Sequence, residues 1–256
     1  MIEMAVQATG LLKQFDRKVA VAGLDLAVPR GSLFGLVGPN GAGKTTSMRM
    51  MTGLLRPDGG QVVVGGLSVW PDPVPVKRRI GILLEDDELF GRLTGPELLE
   101  FIGLLRGQER AETRRRSEEL LGILGLADDH ATLIVDYSHG MHKKIALAAA
   151  LLHGPNVLFL DEPFEAVDPI SARAIRSLLD QHRRAGGTIV MSSHVMELVE
   201  SMCDEVAVIH QGRVVASGAL DEVRGPDATM EDAFVRLVGA PMSTTGNLQW
   251  LGSSSD

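Results

Sequence analysis

The chain has 256 residues, with 25 Lys and Arg against 33 Asp and Glu, and its formal net charge of -8 argues against a broad grip on nucleic acid, which requires clustered cations. Hydrophobic residues at 45% and charged residues at 23% describe an ordinary globular chain, neither disordered nor fibrous. Cys203 is the single cysteine, which excludes an internal disulfide or a multi-cysteine zinc cluster, and the richest apolar run, Ile145 to Leu152, is far below the ~20 residues that span a bilayer; the expectation is a soluble chain in a reducing compartment, with any membrane role supplied by a partner.

In chain order, the first thirty residues and Gln61 to Val69 hold β-rich pieces punctuated by Gly and Pro, which predict a small antiparallel sheet on one flank. Between them, Leu33 to Val37 reads as a buried strand, followed by a Gly-rich turn and a helix from Lys44. Asp86 to Tyr137 is helical in pattern and opens at Thr94-Gly-Pro-Glu97, a capping box with proline in the first turn. Within it Arg114 to Arg116 is followed by Ser117, Glu118 and Glu119, a solvated helix face with Arg114 and Glu118 at i,i+4. Then strands alternate with helices: Val157 to Leu160 with Ile170 to His182, and Thr188 to Met191 with Met196 to Met202, the rhythm of parallel strands with crossover connections. Met230, Ala233, Phe234, Leu237 and Val238 recur at i, i+3, i+4, i+7 and i+8 and predict one amphipathic helix. The expected fold is α/β: a mainly parallel core sheet, a flanking antiparallel β subdomain and an α-helical subdomain inserted at about 86–155. Residues 1–239 form that domain, and 240–256 are expected to be a disordered polar tail.

The Gly-rich turn carries the chemistry. Gly38, Pro39, Asn40, Gly41, Ala42, Gly43, Lys44 and Thr45 fit GxxxxGK[ST], with Thr46 following, between a strand and a helix as that motif requires. Glycines let the backbone wrap a phosphate, successive N–H groups and the helix N-terminus face its charge, Lys44 reaches the terminal phosphates, and the Thr45 hydroxyl is a Mg²⁺ ligand. Val157 to Leu160 runs into Asp161-Glu162-Pro163, so two carboxylates are expected at the carboxyl edge of the sheet. Asp161 is the candidate to hold Mg²⁺ through water, and Glu162 the base for the attacking water.

On these motifs the chain resembles the ATP-binding cassette family of transporters, from about Val6 to Val238. The resemblance implies further site residues. Phe15 stands where the family stacks an aromatic on adenine, and Glu85 where it carries the Q-loop glutamine, here a metal candidate. Tyr137-Ser138-His139-Gly140-Met141 stands for the LSGGQ signature, keeping Ser138 and Gly140 but replacing one glycine by His139 and the glutamine by Met141. Ala166-Val167-Asp168-Pro169 matches the D-loop, and Ser192-Ser193-His194 the segment whose histidine contacts the γ-phosphate. Ser138 and Asp168 also read as helix N-caps, Asp168 with Pro169 behind it.

Such a chain implies ATP and Mg²⁺ as ligands, head-to-tail pairing with a second copy or a related cassette, and a separate transmembrane permease. It would sit on the cytoplasmic face of the membrane. The ending Thr229-Met-Glu-Asp-Ala-Phe-Val-Arg-Leu-Val-Gly239 is similar to cassettes of drug, antibiotic and polysaccharide exporters, which favours export. The alternatives are weaker: a DNA-acting ATPase of this kind needs coiled-coil or zinc inserts, a translation factor carries two cassettes, and a GTPase needs NKxD. A soluble regulatory ATPase without transport remains the second reading.

Overall fold

The structure, a computed structural model, describes residues 3–84 and 89–239; the expectations for Glu85 and for 240–256 lie outside them. The first half runs β1 (Met4–Phe15), β2 (Lys18–Pro29), β3 (Leu33–Val37), α1 (Lys44–Met51), β4 (Gly59–Val64), β5 (Leu67–Ser68), α2 (Val74–Lys77), β6 (Ile80–Leu83), α3 (Gly95–Leu105) and α4 (Arg110–Ile123). After a short 3-10 turn come α5 (His139–Leu151), β7 (Val157–Asp161), α6 (Pro169–Arg184), β8 (Thr188–Ser193), α7 (Met196–Met202), β9 (Glu205–His210), β10 (Arg213–Ala219), α8 (Leu220–Arg224) and α9 (Met230–Val238).

Two sheets result. The first, ordered β2-β1-β4-β5, is antiparallel as expected, although β1 and β2 are strands of 12 residues rather than short pieces. The second, ordered β10-β9-β3-β8-β7-β6, is parallel except for the β9/β10 hairpin. That hairpin was not foreseen. Its two-residue turn, Gln211-Gly212, has positive φ at both positions, 49° and 74°, the combination that matches strand twist in tight hairpins.

Alternation on β3 shows how the layers form. Leu33 and Val37 face one apolar cluster with α5 and α6, whereas Phe34 and Leu36 face the other with the antiparallel sheet and α1. Burial on both faces explains why the strand reads as a continuous apolar run. α3 begins at the Thr94–Glu97 capping box: the Glu97 N–H donates to Thr94 Oγ1 at 3.4 Å, and the Thr94 N–H donates back to Glu97 Oε2 at 2.8 Å. The Arg114–Glu118 pair is present but exposed, at 3.9 Å, and contributes little.

Candidate active site

The sheet order brings three loops together. β3, β8 and β7 are neighbours in parallel register, with Val37 opposite Ser193 and Ser192 opposite Asp161. The segments that leave their carboxyl ends, Gly38–Thr45, Asp161–Glu162 and Ser192–His194, therefore meet at one edge, where open α/β sheets place their ligands.

The Gly-rich turn is shaped by close approach. Gly43 ends it at φ 106°, left-handed, and a Cβ there would lie 2.6 Å from the Ala20 carbonyl oxygen. At Gly38 a Cβ would lie 2.2 Å from the Ile209 carbonyl oxygen. Only glycine fits both positions. Lys44 opens α1 and folds back, its Nζ donating to Gly38 O at 2.7 Å, and it approaches Glu162 Oε1 to 3.8 Å. Both side chains are almost fully buried.

Glu162 is held from several sides. Its carboxylate meets His194 Nδ1 at 3.0 Å, its N–H donates to Ser192 Oγ at 3.1 Å, and its carbonyl accepts from Lys143 Nζ at 2.9 Å. Its φ is 47°, a left-handed conformation costing a non-glycine residue on the order of 1 kcal/mol. Ser192 also donates a short hydrogen bond to Asp161 Oδ1. Asp161 is 0% exposed, yet its other oxygen, Oδ2, has no hydrogen-bond partner among the described residues. An orphaned buried carboxylate oxygen fits a divalent cation, and Thr45, at the start of α1, carries a hydroxyl on the lining of the neighbouring cavity.

Lys44 and Glu162 line a cavity of about 460 Å³, whereas Gly38, Pro39 and the buried Asp161 lie behind its wall. The cavity holds Asn40 to Thr46, Glu162 and His194 of the sequence-predicted residues, and Phe15 stands on it, 46% exposed. Lys13 Nζ sits over the Phe15 ring, 5.6 Å from its centroid, and is itself fixed by Asp58 at 2.7 Å. The Lys13 hydrogen bond holds the Asp58 carboxyl below the usual carboxylate range.

Ser138, Gly140 and Asp168 are not brought to this cavity. Ser138 is exposed and caps α5, accepting from the Met141 N–H at 3.3 Å. Asp168 caps α6 through the Ile170 and Ser171 N–H groups, both at 3.0 Å, and its hydrogen bonding with Ser171 lowers its carboxyl from the ordinary value. Sequence reasoning missed Lys18 and Glu165, which line the cavity, and the structural parts of Ser192 and Lys143. Ser192 sits beside the predicted His194, so strand register could have found it; nothing in the sequence marks Lys143.

Comparison with known proteins supplies the family. The ABC transporter family model matches residues 21–165. The daunorubicin/doxorubicin resistance ATP-binding protein DrrA of Streptomyces peucetius is 39% identical over 220 residues, 86% of this chain and 67% of that protein. The linearmycin resistance ATP-binding protein LnrL of Bacillus subtilis is 37% identical over 213 residues, 83% of this chain and 68% of that protein. A solved structure described as an ATP-binding subunit of an ABC transporter superposes with a TM-score of 0.86 at 28% identity, covering 91% of this chain and 99% of that one. The chain belongs to the ABC transporter family, as one of its ATP-binding, ATP-hydrolysing subunits.

Proposed function

We propose that this chain is the motor of an exporter: it binds ATP between two cassettes, hydrolyses it, and passes the resulting motion to a separate transmembrane permease. The observation that carries this reading is the meeting of Lys44, Asp161, Glu162 and His194 beside adjoining strand ends around one Gly-rich turn. Asn40 to Thr46 cradle the phosphates, with Gly38 and Pro39 shaping the approach to that turn; Lys44 neutralises the terminal phosphates. Glu162 takes the proton of the attacking water, and His194, hydrogen-bonded to it, holds the carboxylate and contacts the γ-phosphate. Phe15 stacks on adenine. Thr45 and Asp161 would hold Mg²⁺, with Glu85 a further candidate, and the ion would supply charge neutralisation of the phosphates.

Ser138 and Gly140 lie outside this chain's own cavity, on an exposed helix N-terminus. That supports head-to-tail pairing, in which each chain presents Ser138, Gly140 and Asp168 to the nucleotide on its partner, a second copy or a related cassette. The helical subdomain carries an apolar patch of Phe90, Phe101, Leu104, Leu105 and Val135, with the two Phe rings packed edge to face at 5.3 Å. It suits contact with the permease. No described helix is long and apolar enough to cross a membrane, which agrees with a peripheral position on the cytoplasmic face. The resistance names of two relatives favour export over import.

Replacing Glu162 by Gln keeps the shape and removes the base, so the variant is expected to bind ATP, hydrolyse it scarcely at all, and elute as a dimer on size-exclusion chromatography with ATP. A variant that stays monomeric with ATP bound, alone and with a co-purified cassette partner, overturns head-to-tail pairing.

A further inference from the structure

Lys143 lies on α5, five residues beyond Ser138, and is 7% exposed. A cation is costly to bury without partners, and its contacts point one way. Nζ donates to the Glu162 carbonyl at 2.9 Å and stands 4.0 Å from Glu165 Oε2, whose side chain is half open to solvent. The Glu162 backbone is thus pinned on both flanks, its N–H by Ser192 from β8 and its C=O by Lys143 from α5.

Such pinning matters because the conformation it holds is unfavourable by itself. Glu162 has φ 47°, outside the ordinary range for a residue with a Cβ. It also precedes Pro163, which disfavours the right-handed helical region, so the relaxed alternative for this residue is extended backbone. Relaxation would rotate the side chain away from His194 and Lys44, the two groups its carboxylate now meets at 3.0 and 3.8 Å.

We propose that Lys143 is a positioning residue for hydrolysis: by holding the Glu162 carbonyl it keeps the left-handed backbone conformation of Glu162 from which the carboxylate is aimed. The inference rests on Glu162 being the base. It also ties the base to the helix that begins at Ser138, so a nucleotide engaged at that helix start would act on the Glu162 backbone through one side chain.

The test is ATPase kinetics and ATP binding on the purified full chain for Lys143→Met and Lys143→Arg, with Glu162→Gln in the same series. Lys143→Met is expected to lower kcat about tenfold or more, since small misplacement of a catalytic group has costs of that order, with ATP affinity unchanged. Lys143→Arg, which retains a donor of similar reach, is expected to recover most of the rate. Should Lys143→Met not fold, Lys143→Gln, whose head group falls short of the carbonyl, is judged by the same two measurements. Wild-type kcat in the Met or Gln variant overturns the proposal, as does parallel loss of rate and ATP affinity that Arg fails to restore. If Glu162→Gln hydrolyses ATP normally, the assignment of the base fails instead; if it is inactive while Lys143→Met is not impaired, only this inference fails.

Discussion

Ser192 joins the two carboxylates of the site, and its removal is expected to damage fold and chemistry together. The side chain is 0% exposed; Oγ donates to Asp161 Oδ1 and accepts from the Glu162 N–H at 3.1 Å. Ser192→Ala keeps the strand and deletes both bonds. Losing a charge-assisted bond and leaving a buried N–H unmet costs about 1–3 kcal/mol each, so a total of about 2–4 kcal/mol is expected after local relaxation. At this chain length each kcal/mol moves Tm by ~2–4 °C, giving a fall of roughly 5–15 °C. Ser193→Ala is the control, because Ser193 only closes a local turn, accepting from the Val195 N–H at 3.0 Å, and a loss below about 1 kcal/mol is expected there. Calorimetry on both variants measures the difference, and turnover assays on the same samples should show kcat reduced in Ser192→Ala with ATP affinity kept, since Lys44 and its turn are untouched. Equal melting of the two variants, with wild-type turnover in both, would refute the claim that this hydroxyl organises the carboxylates.

Phe15→Ala is expected to raise KM for ATP about tenfold, from a lost stacking contact worth ~1–3 kcal/mol, with kcat unchanged and Phe15→Trp restoring it in steady-state kinetics. Gly43→Ala puts a Cβ 2.6 Å from Ala20 O at φ 106°, and should abolish binding of a fluorescent ATP analogue while lowering Tm. Burial, reinforced by the Arg106 and Arg116 cations, pushes the His153 imidazole down to about 4 from 6.5. The unfolded chain then binds the extra proton, so this stability is complete above pH 6.5 and is lost as pH falls from 6.5 towards 4. Its ceiling of ~3 kcal/mol is discounted for partial exposure to about 1–2 kcal/mol, and His153→Gln should remove that part of the pH dependence in urea unfolding at pH 7.5 and 5.

The parts of this molecule legible in its sequence are those where local chemistry admits few residues. The turn from Gly38 to Thr45 needs glycine at φ 106° and at a 2.2 Å approach to backbone, so its pattern is visible without any structure. The Thr94–Glu97 capping box and the 3.6-residue stripe of α9 are equally local. Strand order is not local: that β8 lies between β3 and β7, and so delivers Ser192 and His194 to the carboxylates, depends on packing of the whole sheet. The β9/β10 hairpin could have been read, since Gln211-Gly212 lies between the apolar runs Val206 to Ile209 and Val214 to Ala216. Its value to the site could not, because it lies in the Gly212 N–H reaching Ala42 O at 2.8 Å. Lys143 was hidden for the same reason, since the reach of its helix to Glu162 is set by tertiary packing.

Steady-state ATP hydrolysis by the purified chain, measured with Mg²⁺ beside Lys44→Ala, bears most directly on the account. Lys44 is buried at the end of the Gly-rich turn and stands 3.8 Å from Glu162, so under the proposed function its loss would leave the terminal phosphates uncompensated. Hydrolysis by the wild-type chain and its near-complete loss in Lys44→Ala is the expected result; equal turnover by the two proteins would contradict the site as described.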